Sequence, residues 1–592
     1  MTMLTKWGAA LDRSCPLPEY PRPQLRRESF YNLNGVWDYA VTPSGDEPEV
    51  WDGEIVVPFS PEAPLSGAAR GPAKDEYLHY RRGFTLPEGF QKSRVLLHFG
   101  AVDQIAEVFV NGVSAAKHSG GYWPFSADIT SLLREGENIL RVTVRDNADD
   151  PTFAYGKQRY KRGGMWYTAQ SGIWQTVWLE SVPEVYVKSL RITPEFDEAR
   201  VRVELETALE SSAAITCDVR AADGSFVAGS WAKGGVCVVP LPGFRAWTPD
   251  DPYLYTLDIT CGEDRVESYF AMRKFSYVEL GGHKVFGLNN APLFHNGLLD
   301  QGYYPDGLLT PPSDEAMVND IETMKRCGFN MLRKHTKVEC DRWYYHCDRL
   351  GLIVWQDIVN GGSAYNLWFV TYLTNVLQPL LRRFPDGKAC RRLLSRAKPA
   401  GREEYAHELA DTVQALRCHP CIACWVPFNE GWGQFDAGKA VQALRTLDGT
   451  RLVDEASGWF DQGGGDVHSL HNYFYPLRIR PQKRTVALSE YGGIAWPMPG
   501  HEPPRKTYGY GTAKDRQELT ARYKKLQLKT VLPQLEKGLS ALVYTQLTDV
   551  EDEVNGLFTY DRAAVKPDAN AVRSVNAALA AEFARVTNPA KK

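Results

Sequence analysis

Apolar and polar positions along the chain follow two rhythms. Up to about residue 180, short apolar-rich runs are separated by Gly, Pro and Asp turns: RVLLHFG (94–100), AEVFVNG (106–112), ENILRVTVRD (137–146) and WQTVWLE (174–180). Short strands punctuated in this way predict an all-β sandwich, here a jelly-roll, over 1–182. Residues 183–276 keep the style in VYVKSLRITPEF (185–196), RVRVELET (200–207), AAITCDVRAADG (213–224) and YLYTLDITC (253–261), and predict a smaller immunoglobulin-like β-sandwich. From 277 to the end, apolar runs alternate with stretches of helical periodicity such as SDEAMVNDIETMKRCG (313–328) and CDRWYYHCDRLG (340–351), the pattern of a parallel α/β architecture. Eight strand candidates fall at 293–297, 329–335, 352–357, 422–430, 451–456, 467–473, 485–490 and 541–547, which predicts a (β/α)8 TIM barrel. Residues 362–402 are too long for a simple connection and are expected to form an insertion after the third strand.

The ends of these strands carry the chemistry. Most finish in polar groups, among them His335, Asp357, Asn429 with Glu430, His471, Glu490 and Gln546. Each alone reads as a solvated strand end, but in a barrel the C-terminal ends converge on one mouth, where catalytic groups sit. Glu430 follows the apolar run IACWVPF and precedes Trp432, surroundings that raise a carboxyl pKa and suit a proton donor. Glu490, in LSEYGG, has polar neighbours that suit an ionised carboxylate. Two such groups facing each other could hydrolyse a glycosidic bond, and a separation of about 5–5.5 Å would make the reaction retaining.

Composition narrows the partners. The formal charge of −4 gives neither nucleic acid nor an anionic membrane surface a reason to bind. No segment approaches the roughly 18 apolar residues of a membrane-spanning helix. The first residues lack the apolar core of a signal peptide, and the odd count of 11 cysteines cannot close into a full disulfide set, so a reduced cytoplasmic protein is expected. Cys418, Cys421 and Cys424 have a spacing that can ligate iron–sulfur or zinc. They run into a buried strand, and small buried hydrophobes are the stronger reading. No cofactor and no metal are expected.

Several motifs in order resemble glycoside hydrolase family 2 over nearly the whole chain. LNGVWDY (33–39), FVNG (109–112) and SGIWQTVWLE (171–180) are similar to its sugar-binding jelly-roll domain. FAMRKF (270–275) resembles the junction into the barrel, HPCIACWVPFNE (419–430) the segment ending in the acid/base, and SEYGG (489–493) the nucleophile segment. The resemblance implies a retaining exo-glycosidase with Glu430 as acid/base, Glu490 as nucleophile and Asn429 binding the sugar 2-hydroxyl. A β-galactosidase is the first expectation; β-glucuronidase, α-L-arabinopyranosidase, β-mannosidase and a non-catalytic carbohydrate-binding protein are the alternatives. Where many members carry Arg-x-Ser-His-Tyr-Pro this chain has RKHTKVE (333–339), and TQLTDVEDEVNG (545–556) stands where larger relatives tend to have a tryptophan. No Asn-x-Lys of the kind used to hold a uronate occurs near the barrel's end, which leaves Lys334 or Lys337 as candidates for that part.

Around this pair, Tyr473 is expected to bond the nucleophile or to be structural. His335, Asp357 and His471 are expected to reach sugar hydroxyls or fix the mouth. Trp432 and Trp496 are expected to stack on the sugar or cap the barrel wall, and Gln546 and Asp549 to form subsite contacts. The partner is a carbohydrate or glycoconjugate, and the apolar insertion could either close the pocket or join subunits of a homo-oligomer.

Overall fold

The computed structural model describes residues 3–588 apart from 210–213, 281, 475, 481 and 502–505, together with the side chains at 375, 378 and 379. The start of the expected 213–224 run therefore lies outside the described residues. The first sandwich pairs a six-stranded sheet (53–57, 35–42, 77–85, 137–145, 105–110 and 113–119, in spatial order) with a four-stranded one (31–32, 177–182, 94–99 and 125–128). Inward residues alternate along each strand, so that Trp37, Tyr39, Tyr80, Val108, Leu140 and Val142 meet in one core. The second sandwich packs strands 187–195, 200–207 and 236–240 over 226–232, 215–220, 255–261 and 264–270.

Eight parallel strands follow: β1 (His295–Asp300), β2 (Met331–Lys334), β3 (Ile353–Asp357), β4 (Ile422–Val426), β5 (Leu452–Val453), β6 (Val467–Asn472), β7 (Thr485–Gly492) and β8 (Leu539–Thr545). Pairing runs β5-β4-β3-β2-β1-β8-β7-β6, a near-closed TIM barrel. At the β5–β6 seam, side chains span the gap: Ser457 Oγ lies 2.9 Å from His471 Nε2. The wholly buried strands explain the continuous apolar runs, since helices cover the outside and side chains fill the inside. The hairpin 275–288 plugs the bottom, packing Phe275, Phe286 and Leu288 against Met331, Trp355 and Val543.

Two expectations are corrected. The fourth strand stops at Val426, not at residue 430, because Pro427 has no N–H for the ladder. The fifth is two residues long instead of 451–456. The long insertion lies on the C-terminal mouth, where Phe369, Val370 and Leu394 pack on Trp432, Trp459 and Phe460.

Candidate active site

Beyond Pro427 the backbone leaves the sheet and turns back on itself. Glu430 takes a left-handed conformation (φ 50°), its N–H donates to Ser457 O at 2.9 Å, and Trp459 Nε1 donates to its carbonyl at 2.8 Å. Gly431 and Gly433 also have positive φ, and a Cβ on Gly433 would stand 2.3 Å from the Gly361 carbonyl. The turn is therefore clamped by the segments that follow β5 and β3. It presents a carboxyl that is only 9% exposed. Burial raises its pKa to about 7 against the opposing pull of Lys157 and Arg333.

Glu490 reaches the same point from β7 and is 5% exposed. Arg333 Nη1 donates to its Oε1 at 3.2 Å and Tyr473 Oη to its Oε2 at 2.9 Å. His471 Nδ1 joins the two carboxyls, 2.7 Å from Glu430 Oε1 and 3.5 Å from Glu490 Oε2. One carboxylate oxygen from each glutamate and a His471 nitrogen lie within 4.8 Å of one another. Burial raises the pKa of Glu490 as well, the charge of Glu430 adds to the rise, and His471 and Arg333 oppose it. His471 is pushed down to about 4 by burial and is neutral at neutral pH. These three side chains also have the spacing to hold a single metal ion, which would sit between the carboxylates.

Arg333, fully buried on β2, organises the floor. It forms a two-pronged pair with Asp357 (2.9 and 3.0 Å), reaches Glu490, and donates through Nη2 to Asn429 Oδ1 at 2.8 Å. That bond turns Asn429 Nδ2 away from the arginine, where it is buried and has no partner among the described residues. The sequence pattern gives Arg333, within RKHTKVE, no role of its own. A buried arginine two residues before His335, beside strand-end carboxylates, was the available signal.

The other expected residues separate into those at the pair and those that are not. Tyr473 bonds Glu490 and Thr545 Oγ1, and stacks on Tyr510 with ring centres 4.0 Å apart. His335 Nδ1–H donates to Asp357 Oδ2 at 2.8 Å, and burial lowers the pKa of the ring to about 3. Asp357 is occupied: both its oxygens bind Arg333, and Oδ2 also meets His335 and the Thr336 N–H, so it fixes the floor and has little left for a sugar. Trp432 is in an aromatic group with Trp166 (5.3 Å) and Tyr365 (6.0 Å). Trp496 instead joins Ile494, Ala513 and Leu519 in a separate small core. Gln546 is fully buried between Gln301 and Asn555, and Asp549 is paired with Lys566 at 2.7 Å. Neither offers a group to a sugar, because each polar end already has a partner in the wall.

Lys334 and Lys337 are likewise committed. Lys334 pairs with Asp300 and with Glu339 (2.8 Å), and Lys337 with Glu339 (2.8 Å) and the carbonyls of Gly302 and Leu309. Neither is available to a uronate. Cys418, Cys421 and Cys424 are buried free thiols that point into three different cores, of the second sandwich, the helical layer and the barrel interior. They do not converge on a metal.

One contribution has no signal in the barrel sequence, because it comes from the first sandwich. Residues 154–168 lie across the barrel mouth: Tyr155 and Gly156 donate N–H bonds to Asn360 O (3.0 and 2.9 Å). Arg162 pairs with Glu551 (3.0 Å) and Asp552 (3.1 Å), and Tyr167 Oη donates to Glu553 at 2.6 Å. The acidic TDVEDEVNG run is thus the dock for this segment.

Comparison with known proteins agrees with this architecture. Residues 64–183 match the sugar-binding domain of glycosyl hydrolases family 2, residues 185–273 a further model of that family, and residues 311–531 its TIM barrel domain. The chain belongs to glycoside hydrolase family 2. Among curated relatives, a β-galactosidase of Thermoanaerobacter pseudethanolicus is 25% identical over 72% of this chain and 55% of its own length. The human β-glucuronidase is 24% identical over 64% of each. The chain spans between about half and two thirds of these two relatives. A solved β-glucuronidase of an uncultured Clostridium sp. superposes with a TM-score of 0.74, covering 94% of this chain and 99% of the other at 20% identity, a likeness of fold.

Proposed function

We propose that this protein is a retaining exo-glycosidase that removes a terminal β-linked sugar through a covalent glycosyl-enzyme. The observation that carries the reading is the pair itself: two buried carboxyls with oxygens within 4.8 Å, held in different electrostatic settings. That spacing leaves no room for a water between them and the anomeric carbon, as inversion requires, and fits direct attack.

Glu490 is the nucleophile. Arg333 and Tyr473 donate to its two oxygens, favouring the ionised form and aiming it at the anomeric carbon. Glu430 is the acid: its raised pKa keeps the proton until the glycosidic oxygen takes it. It then accepts a proton from the water that attacks the intermediate. His471, neutral, holds the two carboxyls in register. Asn429 Nδ2 is the donor for a sugar hydroxyl. The recessed pair, roofed by the insertion and by residues 154–168, suits a chain-end sugar over an internal one. The names of the curated relatives divide between β-galactosidase and β-glucuronidase, which supports a β-galactoside or a β-glucuronide as the substrate.

Hydrolysis of p-nitrophenyl β-glycosides tests the proposal. Glu490→Ala should lose essentially all turnover, and azide should restore it by forming a glycosyl azide of inverted configuration. Glu430→Ala should still cleave glycosides with good leaving groups, in a manner accelerated by azide with retention. Full activity in either variant contradicts the assignment.

A further inference from the structure

We propose that Lys157, delivered by the N-terminal sandwich, is a substrate-recognition residue of the barrel site and selects a glycoside that carries an anionic group, a carboxylate or a sulfate ester. The inference rests on the glycosidase reading above and narrows its substrate.

The position of Lys157 is built, not incidental. Gly156 has φ 58°, and a Cβ there would stand 2.6 Å from the Thr336 carbonyl, so only glycine allows the sandwich segment to approach the end of β2 this closely. The next residue, Lys157, is 7% exposed, and its Nζ lies 5.9 Å above the Trp432 ring and 5.6 Å from that of Tyr167. Trp432 follows Glu430 by two residues and Thr336 follows His335 directly, so these two contacts place Lys157 over the mouth that holds the catalytic pair.

What distinguishes it is the missing counter-ion. Among the described residues the other buried lysines are all paired with carboxylates: Lys334 with Asp300 and Glu339, Lys337 with Glu339, and Lys566 with Asp549. Arg333 is likewise saturated by Asp357, Glu490 and Asn429. The Lys157 ammonium makes no hydrogen bond or ion pair among the described residues, and neither glutamate of the pair comes within ion-pair distance of it. A buried charge without a partner is costly, and buried lysines without one are rare. The two aromatic faces meet part of that cost and leave three N–H donors unused. An oxyanion on the substrate would supply the missing partner. A neutral hydroxyl would accept one bond and leave the charge uncompensated.

The test compares wild type, Lys157→Gln and Lys157→Arg on p-nitrophenyl β-D-glucuronide and β-D-galactoside 6-sulfate, each against its neutral parent, the β-D-glucoside and β-D-galactoside. Calorimetric binding of D-glucuronate and D-galactose 6-sulfate, against D-glucose and D-galactose, is measured in parallel. Wild type is expected to prefer one charged substrate, and the arm that responds identifies carboxylate or sulfate. Lys157→Gln should lower kcat/KM on it roughly 10- to 100-fold more than on the neutral parent, chiefly through KM, with partial recovery in Lys157→Arg. Equal losses on charged and neutral substrates, with the alkaline limb of the pH profile displaced upward, would overturn the proposal: Lys157 would then act only on the Glu430 proton. Turnover without any preference for charge would also overturn it, while leaving the glycosidase reading intact. Lys157-dependent binding of an anionic sugar with no turnover of any glycoside would support the anion site and reject the hydrolase.

Discussion

At the scale of single residues, the site works by keeping one carboxyl dry and the other surrounded by donors. Glu430 has its proton near neutrality because burial dominates its pKa of about 7, and Glu490 stands beside it facing Arg333 and Tyr473. The charge of Glu430 also opposes ionisation of Glu490. Activity should fall as pH rises through about 7, where the acid loses its proton. On the acid side it should fall above the ordinary carboxylate range, because the nucleophile's pKa is also raised. In Glu430→Gln, assayed with activated aryl glycosides, the alkaline limb should vanish. A limb that persists would assign it to another group. Tyr473→Phe removes a hydrogen bond to a charged oxygen and should cost roughly 10- to 100-fold in kcat, with KM little changed. Arg333 is the residue whose loss reaches furthest. Arg333→Met leaves Asp357 buried without its counter-charge and should destabilise the fold by about 3–5 kcal/mol, read by denaturant unfolding.

At the scale of elements, strand ends were legible and loop partners were not. Period and composition marked all eight barrel strands, since buried parallel strands leave continuous apolar runs. The convergence of Glu430 and Glu490 followed from chain direction alone. Pro427 was visible in the run as well, and its missing N–H explains why the strand ends four residues before Glu430. What the sequence concealed was which polar residues would be consumed by one another. Asp357, Gln546 and Asp549 all occupy strand ends or the loop after them, yet each is neutralised or capped by a partner distant in sequence. A strand-end position predicts the mouth, not a free side chain. The turn after β4 offers a test of positioning apart from chemistry. Gly433→Ala places a methyl against the Gly361 carbonyl and should shift Glu430 without removing it. A displacement near 1 Å is expected to cost on the order of 100-fold in kcat with the fold retained by circular dichroism. Unchanged kcat would show that the turn tolerates the movement.

At the scale of the whole molecule, the barrel is not self-sufficient. One continuous core joins Phe59, Tyr122, Trp123 and Trp174 of the first sandwich to Leu298, Met317, Trp343 and Tyr405 of the barrel and its helices. The acidic loop after β8 holds residues 162–168 by ion pairs and hydrogen bonds, and that segment brings Lys157 to the pair. Residues 277–592 expressed alone should therefore expose apolar surface, aggregate or lose cooperative unfolding, and show no turnover. The division into units at about 182 and 276, which we propose from the change in patterning, describes folding architecture more than function, because the site is completed across it. Among the described residues no helix is long and apolar enough to cross a membrane.

The central claim is a covalent intermediate on Glu490. Inactivation with 2-deoxy-2-fluoro-β-D-glycosyl fluorides of the galactosyl and glucuronosyl series, followed by peptide mass spectrometry, tests it most directly. The fluorine slows both steps and the fluoride departs readily, so the intermediate accumulates. One glycosyl unit per chain, attached to Glu490 within the SEYGG peptide, is predicted. A label on another residue, or steady hydrolysis that never passes through a labelled protein and releases the inverted sugar, would contradict it.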